Sequence, residues 1–242
     1  MKGLLLLVYT AEHLDDYLME QASNNHFHGS ILLADSNGIL LSKGYGYANC
    51  KDKVKNKPST RYQIASLTKQ FTAIAVMQLQ EKGLLRTDDP VQNYLEGYPN
   101  GDSITIKHLL SHTSGIPDFL EDELLDIELE RAPLDQFIGR FIDKPLEFRP
   151  GQRFNYSNSG YILLTKIIET ITNEAYGDVI QQLIFDPLGM KNSGFFTSPE
   201  DISPTVGYLC LNREMIKAPI VYGYGESGLY STCLLYTSPS PR

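Results

Sequence analysis

The stretch Gln63-Ile64-Ala65-Ser66-Leu67-Thr68-Lys69 places a serine and a lysine three residues apart at the start of a helical pattern. Apolar residues recur downstream at helical spacing as far as Leu79, and Gly83 ends the run. Because positions i and i+3 share one face of a helix, the Lys69 amine can reach the Ser66 hydroxyl. The pair indicates a nucleophile beside its base, although the same spacing also arises by chance in many helices.

The composition indicates a globular protein with a packed core. The chain has 242 residues, of which 42% are hydrophobic and 21% charged. A net charge of −8 argues against a nucleic-acid partner, because a phosphate backbone attracts cationic surfaces. No apolar run approaches the length of a membrane span. The cysteines, Cys50, Cys210 and Cys233, lack metal-ligand spacing, which favours unpaired small residues.

The N-terminal part predicts a helix followed by a β-hairpin. Residues 12–22 have helical periodicity, and the apolar run at 4–9 is either part of an export signal or the apolar start of this helix. Residues 29–34 and 39–42 are apolar runs separated by Asn37-Gly38. Both turn residues tolerate positive φ, so this dipeptide strongly indicates a hairpin.

Further along the chain, local patterns predict loops and helices. The lysine-rich residues 51–57 are typical of a solvated loop, and Asp88-Asp89-Pro90 predicts a turn that starts a short helix. The acidic residues 121–130 form either a mobile lid or a solvated helix face. Residues 161–171 are apolar and helical.

His108 and His112 have the i, i+4 spacing of zinc ligands on a helix. No glutamate adjoins His108 and no third ligand lies nearby, so the sequence predicts no metal site. The small hydroxyl residues around His112 favour a turn stabilised by side-chain hydrogen bonds.

A second candidate site is the loop Tyr156-Ser157-Asn158, just before the helical residues 161–171. A phenol near an ammonium group can carry protons, and an asparagine amide can both donate to and accept from a substrate amide. The alternative is a packing tyrosine followed by a helix cap at Ser157 or Asn158.

Together these stretches resemble the serine β-lactamase-like family, which includes class C β-lactamases, D-alanyl-D-alanine carboxypeptidases and esterases. The resemblance rests on residues 63–69, 106–116, 148–164 and the Pro-Leu-Gly-Met stretch at 186–192, and it runs from about residue 12 to 232. It implies an α/β (α+β) fold in which an antiparallel sheet flanked by helices adjoins a mostly helical domain. It also favours a periplasmic or secreted location.

The resemblance assigns roles to particular residues. Ser66 matches the acylated nucleophile, Lys69 its proton partner and Tyr156 a proton shuttle. Asn158 matches the asparagine that binds the substrate amide. The backbone N–H of Ser66 would supply half of an oxyanion hole. No cofactor and no metal are implied, and the partner would be a small-molecule or peptide substrate.

The match breaks near the C-terminus. The family's third motif, Lys or His followed by Thr or Ser and Gly, is not found after Asn158. We therefore expect residues 1–232 to be an incomplete β-lactamase-related domain that lacks its last strands. The sheet would begin at 12–58, the mostly helical region with the site would span 60–195, and 233–242 would be a foreign tail.

The sequence thus predicts a serine hydrolase that acts through an acyl-enzyme intermediate on a β-lactam, a D-alanyl peptide or a small ester. Carboxypeptidase or esterase activity is favoured, because nothing in the chain marks efficient deacylation of β-lactams. The alternative is a non-catalytic module that binds peptidoglycan-like peptides, or an inactive fragment. The fold alone does not choose between these functions.

Overall fold

The computed structural model of the chain describes residues 2–120, 132–211, 214–218 and 220–233. It divides into two compact units: Met1–Tyr62 with Ser198–Pro219 and Tyr230–Arg242, and Gln63–Thr197 with Ile220–Leu229. The helices are α1 (Lys2–Ser23), α2 (Thr68–Glu81), α3 (Ile106–Leu110), α4 (Leu134–Gly139), α5 (Asn158–Thr172) and α6 (Tyr176–Ile180). The strands are β1 (Gly29–Asp35), β2 (Gly38–Tyr45), β3 (Tyr47–Asn49), β4 (Val54–Lys55), β5 (Tyr62–Gln63), β6 (Gly194–Phe195), β7 (Tyr208–Leu211), β8 (Glu214–Lys217) and β9 (Leu229–Ser231).

The predicted hairpin is confirmed in the first unit. Strands β1 and β2 pair antiparallel, with Leu33 opposite Leu41, and both strands extend beyond the predicted runs. Gly38 has φ of 136°, a conformation that only glycine adopts without strain. The Asp35 carboxylate accepts a hydrogen bond of 2.7 Å from the backbone N–H of Asn37, which closes the turn.

Helix α1 packs against β2. It begins ten residues before the predicted start at residue 12, so the apolar run at 4–9 is part of this helix. The Asp15 carboxylate accepts hydrogen bonds from Lys43 Nζ at 2.8 Å and from the Tyr45 hydroxyl at 2.7 Å. These bonds fix the helix on the hairpin.

The other strands are short. Strands β3 and β4 form one antiparallel pair, and β7 and β8 form another. The three remaining strands form a sheet with the order β5-β9-β6. Because β4 includes Val54 and Lys55, the prediction of a loop throughout 51–57 was wrong at these two residues.

Helix α5 is the centre of the second unit. Ile162, Leu163, Leu164, Ile167 and Ile168 are all fully buried. A helix that is apolar around most of its circumference must be enclosed by its neighbours, and α5 contacts α2, α3, α4 and α6. Asn173 ends it in a left-handed conformation with φ of 55°.

One local prediction needs correction. Helix α2 starts at Thr68, and Ser66 lies in the preceding 3-10 turn, Ala65–Leu67, instead of in the first α-helical turn. The predicted turn at Asp88-Asp89-Pro90 leads into a short 3-10 helix, Val91–Asn93.

Some predictions fall outside the described residues. The acidic segment at 121–130 is among them, as is the C-terminal tail beyond Cys233. Within the part of the chain that the structure describes, no helix is long and apolar enough to cross a bilayer.

Candidate active site

Ser66 lies on an exposed 3-10 turn that is anchored to strand β9. Ile64 N–H donates to the Leu229 carbonyl at 3.0 Å, and Leu229 N–H donates to Thr68 Oγ1 at 3.2 Å. These bonds hold the chain on both sides of Ser66. Ala65 has φ of 45°, a strained value for a residue with a Cβ. The anchored turn therefore presents the Ser66 side chain to solvent in a fixed position.

Lys69 is buried one turn further on, with 7% of its surface exposed. Its Nζ donates to Asn158 Oδ1 at 2.7 Å, to the Glu226 backbone carbonyl at 2.9 Å and to Ser66 Oγ at 3.3 Å. The three donors of an ammonium group thus have three acceptors. Nζ also lies 4.9 Å from the centre of the Tyr156 ring, a cation–π distance.

Tyr156 contacts the serine from the other side. Its hydroxyl donates to Ser66 Oγ at 3.0 Å. Its ring stacks on His112 with centroids 4.5 Å apart, and His112 in turn stacks on Tyr161 at 5.2 Å. With 41% of its surface exposed, Tyr156 is not a core-packing tyrosine, which was the alternative reading of the sequence.

Asn158 is the first residue of α5, and both ends of its amide are engaged. Oδ1 accepts from Lys69, and Nδ2 donates to Asp118 Oδ2 at 2.8 Å. Ser157 precedes the helix, but its hydroxyl makes no capping bond and has no hydrogen-bond partner among the described residues. The structure thus places Ser66, Lys69, Tyr156 and Asn158 within hydrogen-bond distance of one another, in a chain of contacts from Tyr156 through Ser66 and Lys69 to Asn158.

Two acidic residues of the site were not predicted from the sequence. Asp118 contacts Asn158, and Glu226 supplies a carbonyl to Lys69. The buried Glu226 carboxyl accepts from Tyr224 N–H at 2.9 Å and from the Ser227 hydroxyl at 3.0 Å, so it stabilises its own turn. Burial raises the pKa of Glu226.

The sequence did offer one indication of Glu226. It is an acidic residue between small residues, in Gly225-Glu226-Ser227-Gly228, which is unusual enough to single it out.

The two histidines have structural partners. Thr105 N–H donates to His108 Nδ1 at 3.2 Å in a capping box, and Ser157 N–H donates to His112 Nδ1 at 3.2 Å. Among the described residues there is no group of three His, Cys, Asp or Glu side chains that could hold a metal ion. His112 instead supports the Tyr156 loop by stacking and by this hydrogen bond.

We expect stability to depend on His112 below neutral pH. Burial lowers the pKa of His112 from its ordinary value of 6.5, and the nearby Lys69 ammonium lowers it further, against a smaller opposing effect of the Asp118 carboxylate. Between the two pKa values of His112, the folded state therefore binds fewer protons than the unfolded state. This contribution to the unfolding free energy is complete above pH 6.5, the pKa in the unfolded chain, and is lost as the pH falls through the lower pKa of the folded state. Protonation would also end the acceptor role of Nδ1.

The variant His112→Asn tests this expectation. Asparagine tolerates the positive φ of 55° and offers an acceptor for Ser157 N–H, but it does not titrate. The unfolding free energy is measured with urea at about pH 7.5 and about pH 5. Its decrease between the two pH values should be smaller for the variant than for the wild type. Burial lowers the pKa of His108 too, and since His108 is present in both proteins the comparison isolates His112. Equal losses would contradict the expectation.

The chain is similar in sequence and in fold to known proteins. Penicillin-binding protein 4* of Bacillus subtilis (strain 168) is 34% identical over 197 residues, which cover 79% of this chain and 44% of that protein. The octameric penicillin-binding protein homologue from Pyrococcus abyssi superposes with a TM-score of 0.79 at 33% identity, over 94% of this chain and 54% of that one. A D-stereospecific amidohydrolase from Streptomyces sp. has a TM-score of 0.62 at 27% identity, over 72% of this chain and 57% of that one.

These similarities show that the chain has the β-lactamase/transpeptidase-like fold, which confirms the fold expected from the sequence. The family profile described as Beta-lactamase matches residues 16–233, and the chain belongs to that family. The chain spans about half the length of the curated relatives it matches.

Proposed function

We propose that Ser66 is the nucleophile of a serine hydrolase that acts through an acyl-enzyme intermediate, with a D-alanyl peptide or a small ester as the favoured substrate. The observation that carries the proposal is the contact of Ser66 Oγ with both Lys69 Nζ and the Tyr156 hydroxyl, at 3.3 and 3.0 Å. A nucleophile within reach of two proton-carrying groups is the arrangement that covalent catalysis requires.

The bonds of Lys69 fit the role of a general base. The two shorter ones go to Asn158 Oδ1 and the Glu226 carbonyl, both of which can only accept a hydrogen bond. A neutral amine would keep these two as donor bonds and direct its lone pair at Ser66 Oγ. Lys69 can then take the serine proton as Oγ attacks the substrate carbonyl carbon.

Tyr156 is positioned to deliver a proton to the leaving group. As the tetrahedral intermediate collapses, the bond between the carbonyl carbon and the leaving nitrogen or oxygen breaks, and that atom takes up a proton through the Tyr156 hydroxyl. The acyl group remains as an ester on Ser66 until water attacks it. Lys69 and Tyr156 take a proton from that water and pass it to Ser66 Oγ as the ester bond breaks. Since the proton given to the leaving group came from Ser66 by way of Lys69, both groups end in their starting state.

Two further groups would bind the substrate. The Ser66 backbone N–H is in the first turn of a helical segment, where N–H groups lack partners within the helix, and it would stabilise the oxyanion. Asn158 has one Nδ2 hydrogen left after donating to Asp118, and this hydrogen can bind a substrate carbonyl. Asn158 Oδ1 is engaged by Lys69, so the substrate contact would be a donor contact.

The experiment compares the turnover of three substrates by the purified protein, after a single cooperative thermal transition has shown that it is folded. The substrates are an acyl-D-alanyl-D-alanine peptide, a nitrophenyl ester and a chromogenic cephalosporin. We expect multiple turnovers of the peptide or the ester and slower turnover of the cephalosporin, because its acyl-enzyme would hydrolyse slowly. Binding of all three without any product would contradict the proposal and support a binding module.

A further inference from the structure

The Asp118 side chain is close to the reacting groups without touching Ser66. Its Oδ2 accepts from Asn158 Nδ2 at 2.8 Å, and its Oδ1 accepts from the Leu120 backbone N–H at 3.2 Å. Both carboxylate oxygens are thus engaged, one by its own loop and one by Asn158. The carboxylate is therefore held in one orientation.

Ser159 fixes the backbone on both sides of Asp118. The Ser159 hydroxyl donates to the Pro117 carbonyl at 2.7 Å and accepts from Phe119 N–H at 3.0 Å. Ser159 is fully buried, and it directly follows Asn158 on α5. The helix start that presents Asn158 therefore also holds the loop that presents Asp118.

The charges on either side determine how the Asn158 amide is oriented. In the observed orientation Oδ1 faces the Lys69 amine and Nδ2 faces the Asp118 carboxylate. A rotation by half a turn would bring the NH2 group against Lys69 and the amide oxygen against a carboxylate. Both contacts would then be repulsive, since an ammonium has no acceptor and a carboxylate has no donor.

We propose that Asp118 is a positioning residue that keeps the Asn158 oxygen directed at Lys69. This inference rests on the proposed function of Ser66 and Lys69. Without Asp118, nothing opposes rotation of the amide once Lys69 is in the neutral form that acts as the base, and Nδ2–H can then donate to the Lys69 amine. That hydrogen bond would occupy the lone pair that has to take the Ser66 proton, and acylation would slow down.

The test uses Asp118→Ala, with Asp102→Ala as the matched control. Asp102 is an exposed aspartate of the same unit that has no role in the site. The acylation rate is measured at saturating penicillin, and the dissociation constant of penicillin is measured separately. We expect Asp118→Ala to lower the saturating rate by about 10- to 100-fold, the effect of small displacements in reacting groups. The dissociation constant should rise by a smaller factor, because a rotated Asn158 amide also loses its hydrogen bond to the substrate carbonyl, and Asp102→Ala should behave as wild type.

A second measurement reports on the amide itself. In a proton–nitrogen correlation spectrum, the Asn158 signals are assigned with the Asn158→Ala variant. The two NH2 protons should differ widely in chemical shift, because one of them is hydrogen-bonded to a carboxylate. This difference in chemical shift should become small in Asp118→Ala. Since this signal does not require acylation, it separates a failure of the proposed function, in which wild type is not acylated, from a failure of the Asp118 inference.

Ser159→Ala covers the case in which Asp118→Ala does not fold. It removes a single hydroxyl and loosens the 117–119 loop. We therefore expect the acylation rate to decrease and the two Asn158 NH2 protons to move closer in chemical shift, with a smaller decrease in rate than for Asp118→Ala. A folded Asp118→Ala protein that acylates at the wild-type rate would overturn the inference. An unchanged Asn158 signal in that variant would do the same.

Discussion

Replacing Ser66 with alanine is expected to lower the turnover of the peptide or ester substrate by on the order of 10⁴- to 10⁶-fold, the size of effect that follows loss of a catalytic serine. The expected decrease is large because the oxygen removed is the one that both Lys69 and Tyr156 contact. The side chain is exposed, so the melting temperature should stay close to that of the wild type.

Ser103→Ala is the matched control for this substitution. It removes an exposed serine hydroxyl of the same unit, which bonds only locally to the Asn100 carbonyl in the bonds described. Steady-state turnover of this variant should equal that of the wild type. Substantial turnover by Ser66→Ala would show that another group carries out the chemistry.

The second large effect is expected for Lys69. The variant Lys69→Met keeps the aliphatic stem but loses the amine, and we expect turnover to fall by about 10³-fold or more. The Asn158 oxygen and the Glu226 carbonyl would also lose a donor. An unsatisfied buried acceptor costs about 1–3 kcal/mol, so the unfolding free energy should decrease as well, which urea unfolding measures.

Lys69→Arg separates the charge of Lys69 from its capacity to act as a base. Arginine keeps a positive charge and several donors, but it does not lose its proton in proteins. We expect this variant to be about as inactive as Lys69→Met while remaining the more stable of the two. Activity within about tenfold of the wild type would mean that a positive charge suffices and that Lys69 is not the base.

The sequence was sufficient to predict the contacts that are local or that belong to a recognisable motif. The Asn37-Gly38 turn determines the hairpin, and the three-residue spacing brings Lys69 next to Ser66. Tyr156 and Asn158 were predicted because they precede an apolar helix in a motif that resembles the family's. Ser66 was expected within the helical pattern, whereas α2 begins at Thr68, because the positive φ at Ala65 cannot be deduced from the spacing of apolar residues.

The contacts of the acidic residues could not be predicted in this way. Asp118 lies 40 residues from Asn158, and the Glu226 carbonyl lies 157 residues from Lys69. Neither residue has a periodic pattern or a spacing that links it to its partner. Such pairs are determined by the packing of α2 and α5 in the second unit, which no local propensity encodes.

The most direct test of the account is to react the protein with penicillin and to locate the label by mass spectrometry. The account predicts the addition of one penicilloyl group per chain, on the proteolytic peptide that contains Ser66, and no addition to Ser66→Ala. A label on any other residue, or an equal label on the Ser66→Ala protein, would contradict the assignment of Ser66 as the nucleophile.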